Sequence, residues 1–210
     1  MPSRVIRRRL VPQGGADAVG LLAFRKTFLG ELVEVALIAL VLFLVARIAV
    51  QNFRVDGFSM QPTLHNNEFI LVDKLSYRFE QPHDGDIIVF RYPYPPFKDF
   101  IKRIIGVPGD RISIHGGYVY RNGKPLHERY IAQRPNYTMP TIPTTNSTLV
   151  PKNEYFVLGD NRNFSDDSHL WGLLPRHDII GRALIAYWPP QDFGLLASSV
   201  LNLGGSVRHT

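Results

Sequence analysis

The feature that most constrains this chain is a mainly apolar run from Phe28 to Val50, broken by charge only at Glu31, Glu34 and Arg47. Its charge-free centre, Val35–Ala46, falls short of the roughly 20 residues that cross bilayer hydrocarbon as a helix. The whole run is long enough once Glu34 and Arg47 lie near opposite interfaces, where a long arginine stem carries its charge toward head groups. The expectation is a transmembrane helix over residues 28–50. A buried core helix and a removable signal peptide are the other readings of such a run, although the arm before it is longer than a usual basic leader region.

Charge placement orients this anchor. Arg4, Arg7, Arg8, Arg9, Arg25 and Lys26 stand against Asp17 alone, so nearly all of the net charge of +6 lies before Glu31. A basic arm beside an apolar segment suits anionic lipid head groups, and no nucleic-acid-binding pattern accompanies it. The positive-inside bias places residues 1–27 in the cytoplasm and everything after Gln51 outside. The chain has no cysteine, which excludes disulfides, thiolate metal sites and a thiol nucleophile.

Past the anchor the pattern turns to β. Phe69–Val72, Asp86–Phe90, Ile112–Ile114, Tyr118–Tyr120, Tyr155–Leu158 and Ala183–Trp188 are short and rich in β-branched or aromatic residues. Turn residues separate them, and Asn122-Gly123 predicts a hairpin. The expected fold is mainly β: an anchor helix, then an all-β catalytic domain of antiparallel sheets, residues 51–114 and 153–192, with a smaller inserted cap at 115–152. The tail, 193–210, reads as frayed or surface-lying.

Three segments carry chemistry. Ser59 sits in Gly57-Phe58-Ser59-Met60-Gln61-Pro62-Thr63-Leu64, and a serine hydroxyl attacks only when a base takes its proton. Lys102, in Phe100-Ile101-Lys102-Arg103-Ile104, serves as that base only when neutral, and burial among apolar groups lowers a lysine pKa in this way. On a strand Lys102 shares a face with Phe100 and Ile104, while Arg103 points the other way, toward a carboxylate or solvent. The polar run from Gly159 through Asp160, Asn161, Arg162, Asn163, Ser165, Asp166, Asp167 and His169 offers a hydroxyl and carboxylates to these bases.

These blocks, with Gly85-Asp86-Ile87-Ile88-Val89-Phe90 and Gly106-Val107-Pro108-Gly109-Asp110, occur in order behind an N-terminal anchor. The chain thereby resembles the type I signal peptidases, membrane-bound serine proteases with a Ser–Lys dyad, from the anchor to about Trp188. The resemblance implies Ser59 as nucleophile, Lys102 as general base and then acid, and Ser165 as the hydroxyl that orients the lysine amine. It implies the Ser59 N–H as an oxyanion donor, with Gly57 where some members place an assisting serine. It puts Phe53, Val55, Met60, Leu64, Phe100 and Ile101 around small apolar subsites, and Arg103, Asp160, Arg162 and Asp167 in the polar framework. Asn163 stands where an aspartate is common, and His169 where an arginine often pairs with the residue matching Asp167.

The implied activity is removal of signal peptides from exported pre-proteins after small-x-small sites, through an acyl-enzyme, with neither cofactor nor metal. The partners are signal peptides and the bilayer, with Met60 and nearby apolar residues reaching lipid. A Ser-His-Asp site using His65 or His169 with Asp160 lacks the Gly-x-Ser-x-Gly elbow. A metal enzyme built on Asp167 and His169 lacks further ligands. The competing class is a membrane-anchored β-domain that binds partners without catalysis.

Overall fold

The apolar run is rich in Leu and Ala and free of proline, so a helix is its favoured form. The computed structural model describes residues 16–139 and 148–196, with side chains from residue 29 onward apart from Ala46. Helix α1 spans Ala16–Ala49. Its segment Leu29–Ala49, 21 residues of mean hydropathy 2.6, is long and apolar enough to cross a membrane. At about 1.5 Å per residue it covers roughly 30 Å, the thickness of the hydrocarbon layer.

The described side chains from Leu29 to Val45 are all exposed, so this is not the buried helix of a core. A helix apolar on every face is suited to lipid. The helix begins well before Phe28, so residues 16–27 of the basic arm are helical; residues 1–15 lie outside the described residues.

The chain divides into two units, residues 1–47 and 48–210. The second is built on an eight-stranded antiparallel sheet. Its strands are β1 (Val50–Arg54), β2 (Phe69–Asp73), β3 (Ile87–Arg91), β4 (Asp99–Gly106), β9 (Glu154–Leu158), β10 (Leu174–Pro175), β11 (Ile179–Trp188) and β12 (Gly194–Leu195). Their order is β1-β2-β11-β3-β4-β9-β10, with β12 added to β11. A second sheet, ordered β7-β6-β5-β8, contains β5 (Arg111–His115), β6 (Tyr118–Arg121), β7 (Lys124–Pro125) and β8 (Thr148–Leu149). The Asn122-Gly123 turn closes β6 on β7 with both residues at positive φ, 54° and 78°, as a two-residue hairpin turn demands.

Burial explains why the strands look continuously apolar. On β3, Ile87 and Val89 enter one core cluster with Ile70, Val72 and Ala183, while Ile88 and Phe90 enter another with Ile104, Tyr155 and Val157. Both faces of β3 are therefore covered. A third cluster, with Ile105, Ile112, Ile114, Val119, Phe156 and Leu158, joins the two sheets.

Three expectations change. Strand β1 follows the helix without a turn residue to announce it. The second sheet starts at Arg111, so Ile112 and Ile114 belong to it rather than to the main sheet. The tail is not frayed at its start: Gly194–Leu195 pair with β11 and Leu196 is buried. Residues 140–147 of the expected cap and 197–210 of the tail lie outside the described residues.

Candidate active site

The Ser59 loop bridges β1 and β2 and is pinned at its neck. The Val55 N–H donates to Glu68 O, and the Asn67 N–H donates to Val55 O, each at 2.8 Å. Inside the loop Gly57 has φ 108°, a conformation in which a side chain would be strained. Met60 and Leu64, 1% and 0% exposed, plug the loop into the core. Neither lines the cleft described below, although both were expected around the substrate subsites; they lie in a core cluster with Val55, Ile70 and Val89. Both are apolar residues close to the serine, and only packing tells a plug from a pocket wall.

Lys102 lies within β4, opposite Ile88 of β3. Its Nζ is 2.8 Å from Ser59 Oγ and donates to Ile101 O at 3.1 Å. It also stands 5.1 Å from the centre of the Phe100 ring. The side chain is only 4% exposed. Burial pushes its pKa down to about 8, against the opposing pull of Asp167, Asp166 and Asp160. At mildly alkaline pH the amine is therefore substantially neutral and able to take the Ser59 proton.

A cleft of about 670 Å³ opens over this pair, walled by Phe53, Val55, Ile70, Val89, Phe100 and Ile101. Four of those were expected; Ile70 and Val89 were not, because an inward strand residue is indistinguishable in sequence from its core neighbours. The Ser59 N–H donates to no described group, whereas the Gly57 N–H donates to Asn66 Oδ1 at 2.9 Å. Of these two donors Gly57 is thus engaged elsewhere, and the Ser59 N–H has no acceptor among the described residues.

The expected hydrogen bond from Ser165 to the lysine is not formed. Ser165 Oγ is buried without a partner among the described residues. It packs against Gly159, where a Cβ would overlap both Ser165 Oγ and the Ser59 carbonyl oxygen. Glycine is required there by this close approach. The Asn161 N–H then donates to Ser59 O at 2.9 Å, and Asn161 Nδ2 to Phe58 O at 3.1 Å, tying the loop to the segment after β9.

Beyond Ser59 and Lys102 runs a buried ionic framework. Arg103 grips Asp160 with two bonds, Nε at 2.9 Å and Nη2 at 2.7 Å, and Thr63 Oγ1 donates to Asp160 Oδ2 at 2.5 Å. Arg162 donates to the Gly159 carbonyl at 3.1 Å and to both oxygens of Glu128 at 2.7 Å. The Tyr130 ring lies 4.1 Å beneath the Arg103 guanidinium, and its hydroxyl donates to Glu128 at 2.8 Å. Glu128 and Tyr130 come from the expected cap and carried no sequence signal, since their arginine partners are distant in the chain.

Asp167 caps the short helix Ser168–Trp171, accepts from the Gly159 N–H at 2.9 Å and contacts His169 Nδ1 at 2.6 Å. Tyr137 stacks on that imidazole with centres 4.0 Å apart. Asn163 donates through Nδ2 to Arg134 O at 3.1 Å and accepts from the Asn136 N–H at 2.9 Å, a donor role an aspartate could not fill. Among the described residues one group, His65, Glu68 and Asp192, brings metal-binding atoms within 4.8 Å of one another, and Asp167 with His169 forms no such group.

At one end of the cleft a hydroxyl thus stands beside an amine whose pKa burial lowers to about 8. A family model described as signal peptidase, peptidase S26, matches residues 29–188, and the chain belongs to that family. It is 42% identical over 179 residues to a probable signal peptidase I-1 of Synechocystis sp., covering 81% of this chain and 88% of the relative. It is 45% identical over 146 residues to a signal peptidase I of Leptolyngbya laminosa, covering 66% and 68%. A signal peptidase IB of Staphylococcus aureus is 32% identical over 181 residues, covering 80% and 94%. A solved signal peptidase I of Enterococcus faecalis is 34% identical with a TM-score of 0.42, covering 49% of this chain and 97% of that one.

Proposed function

We propose that this protein is a signal peptidase that uses Ser59 and Lys102 to cut signal peptides from exported pre-proteins. The observation that carries this reading is the 2.8 Å contact between Lys102 Nζ and Ser59 Oγ in a lysine that burial holds near neutrality. Lys102 takes the Ser59 proton as Oγ attacks the scissile carbonyl, then gives a proton to the leaving amine. The resulting ester is hydrolysed by water, with Lys102 again as base. The Ser59 N–H faces the developing oxyanion, a position in which one donor is worth about 3 kcal/mol. Small side chains before the cleaved bond occupy the cleft between Phe53, Val55, Phe100 and Ile101.

The helix at Leu29–Ala49 anchors the enzyme in the bilayer, with the basic arm in the cytoplasm and the β unit outside. This arrangement brings Ser59 to the side where a signal peptide's small-x-small site emerges. Asp160, Arg103, Arg162 and Asp167 hold the dyad segments in place and do not touch the substrate. The test is cleavage of a pre-protein in detergent by wild type, Ser59→Ala and Lys102→Ala. Each variant is expected to lose at least about 10³-fold in kcat/KM. Undiminished cleavage in either one overturns the dyad.

A further inference from the structure

A second concavity, of about 330 Å³, adjoins the first. Gln61, Pro62 and His65 of the Ser59 loop line it, with Ala132 and Gln133 from the segment after β7 and Asn161 and Phe164. Asn161 and Phe164 line the first cleft as well, so the two are successive stretches of one surface. They meet at the segment that holds the Ser59 carbonyl oxygen. The first is mainly aliphatic and aromatic but also carries Asp56, Asp99 and Asp166, while the second sets the carboxamides of Gln61, Gln133 and Asn161 among Pro62, Ala132 and Phe164.

A peptide cut at Ser59 has two halves. The acyl half, with its small side chains, fits the apolar cleft. The leaving half begins at the departing nitrogen and continues away from the acyl half, and the second concavity adjoins the first cleft through Asn161 and Phe164. We infer that the concavity binds the first residues of the leaving polypeptide, the new N-terminus of the exported protein. The inference rests on the function proposed above and extends it to the other side of the bond. Carboxamides both donate and accept, so they serve a peptide backbone whatever its side chains. In acylation the Oγ–C bond forms, the C–N bond breaks and the amine takes its proton from Lys102. The leaving segment thus assists this step and is gone before water attacks.

Gln133 is exposed and its side chain accepts one long hydrogen bond, from Asn163 Nδ2 at 3.4 Å, so a charge placed there meets solvent. The test uses full-length protein in detergent and two peptides identical up to the cleavage site. One has Lys at the first two positions after it, the other Glu. Relative to wild type, Gln133→Glu is expected to raise the Lys-over-Glu ratio of kcat/KM about threefold, and Gln133→Lys to lower it about threefold, the size of one partly screened charge pair. Ratios that stay at the wild-type value in both variants overturn the inference while leaving the dyad standing. Cleavage that persists in Ser59→Ala overturns the proposed function, and the inference falls with it.

Discussion

At the scale of single residues, Lys102 joins two effects of one cause. Burial lowers its pKa to about 8 and thereby suits it to the role of base proposed above. Activity is expected to rise with pH through about 8, read as kcat/KM with a peptide substrate; a profile flat down to pH 5 contradicts a lysine base. The same burial works against stability. An unfolded lysine holds its proton up to about pH 10, the folded one only to about 8, so stability from this group rises with pH across that window. Lys102→Met is accordingly expected to abolish cleavage yet raise stability at pH 6 by up to about 3 kcal/mol. The gain shrinks as pH goes from 8 to 10, which denaturant titrations at several pH values measure. Gly159→Ala acts differently. Its added methyl meets the Ser59 carbonyl and Ser165, so a loss of about 1–3 kcal/mol is expected together with loss of activity.

At the scale of elements, the segment following β7 proves to be part of the scaffold. Glu128 pairs with Arg162, and both side chains are almost fully enclosed. Removing one partner of such a pair strands the other charge, so Glu128→Ala is expected to cost about 3–5 kcal/mol. Tyr130→Phe loses one hydrogen bond and keeps the ring under Arg103, for a cost of about 1 kcal/mol. Thermal melts of the two variants give the ranking; equal melting temperatures contradict the linkage of this segment to the main sheet. The strand pattern was legible where residues alternate or run continuously β-branched, as at β2, β3 and β9. It was silent at β1, whose Gln51 and Asn52 lack strand character and which extends straight from a helix. In the tail it missed one short strand, because the pairing of Gly194–Leu195 with β11 depends on a partner strand and not on local propensity.

At the scale of the whole molecule, a 21-residue apolar helix and a β unit are separate units of one chain. If the basic arm is cytoplasmic, a protease added to the outside of sealed cells or right-side-out vesicles digests the β unit and spares the arm. The opposite pattern reverses the proposed orientation. The sequence alone carried the apolar run, the β character and the serine–lysine pattern behind the proposed dyad, because hydropathy, strand composition and residue order are local or ordered along the chain. Tertiary structure alone decided which apolar neighbours of Ser59 line the cleft: Val55, Ile70 and Val89 belong to the core cluster and line it, Met60 and Leu64 belong to the same cluster and do not. It sent Met60 and Leu64 inward, left Ser165 without its lysine and brought Glu128 and Tyr130 beneath the framework arginines. Those outcomes depend on which strands pair and how closely backbones approach. Such contacts join residues distant in the chain, and nothing in the residues themselves announces them.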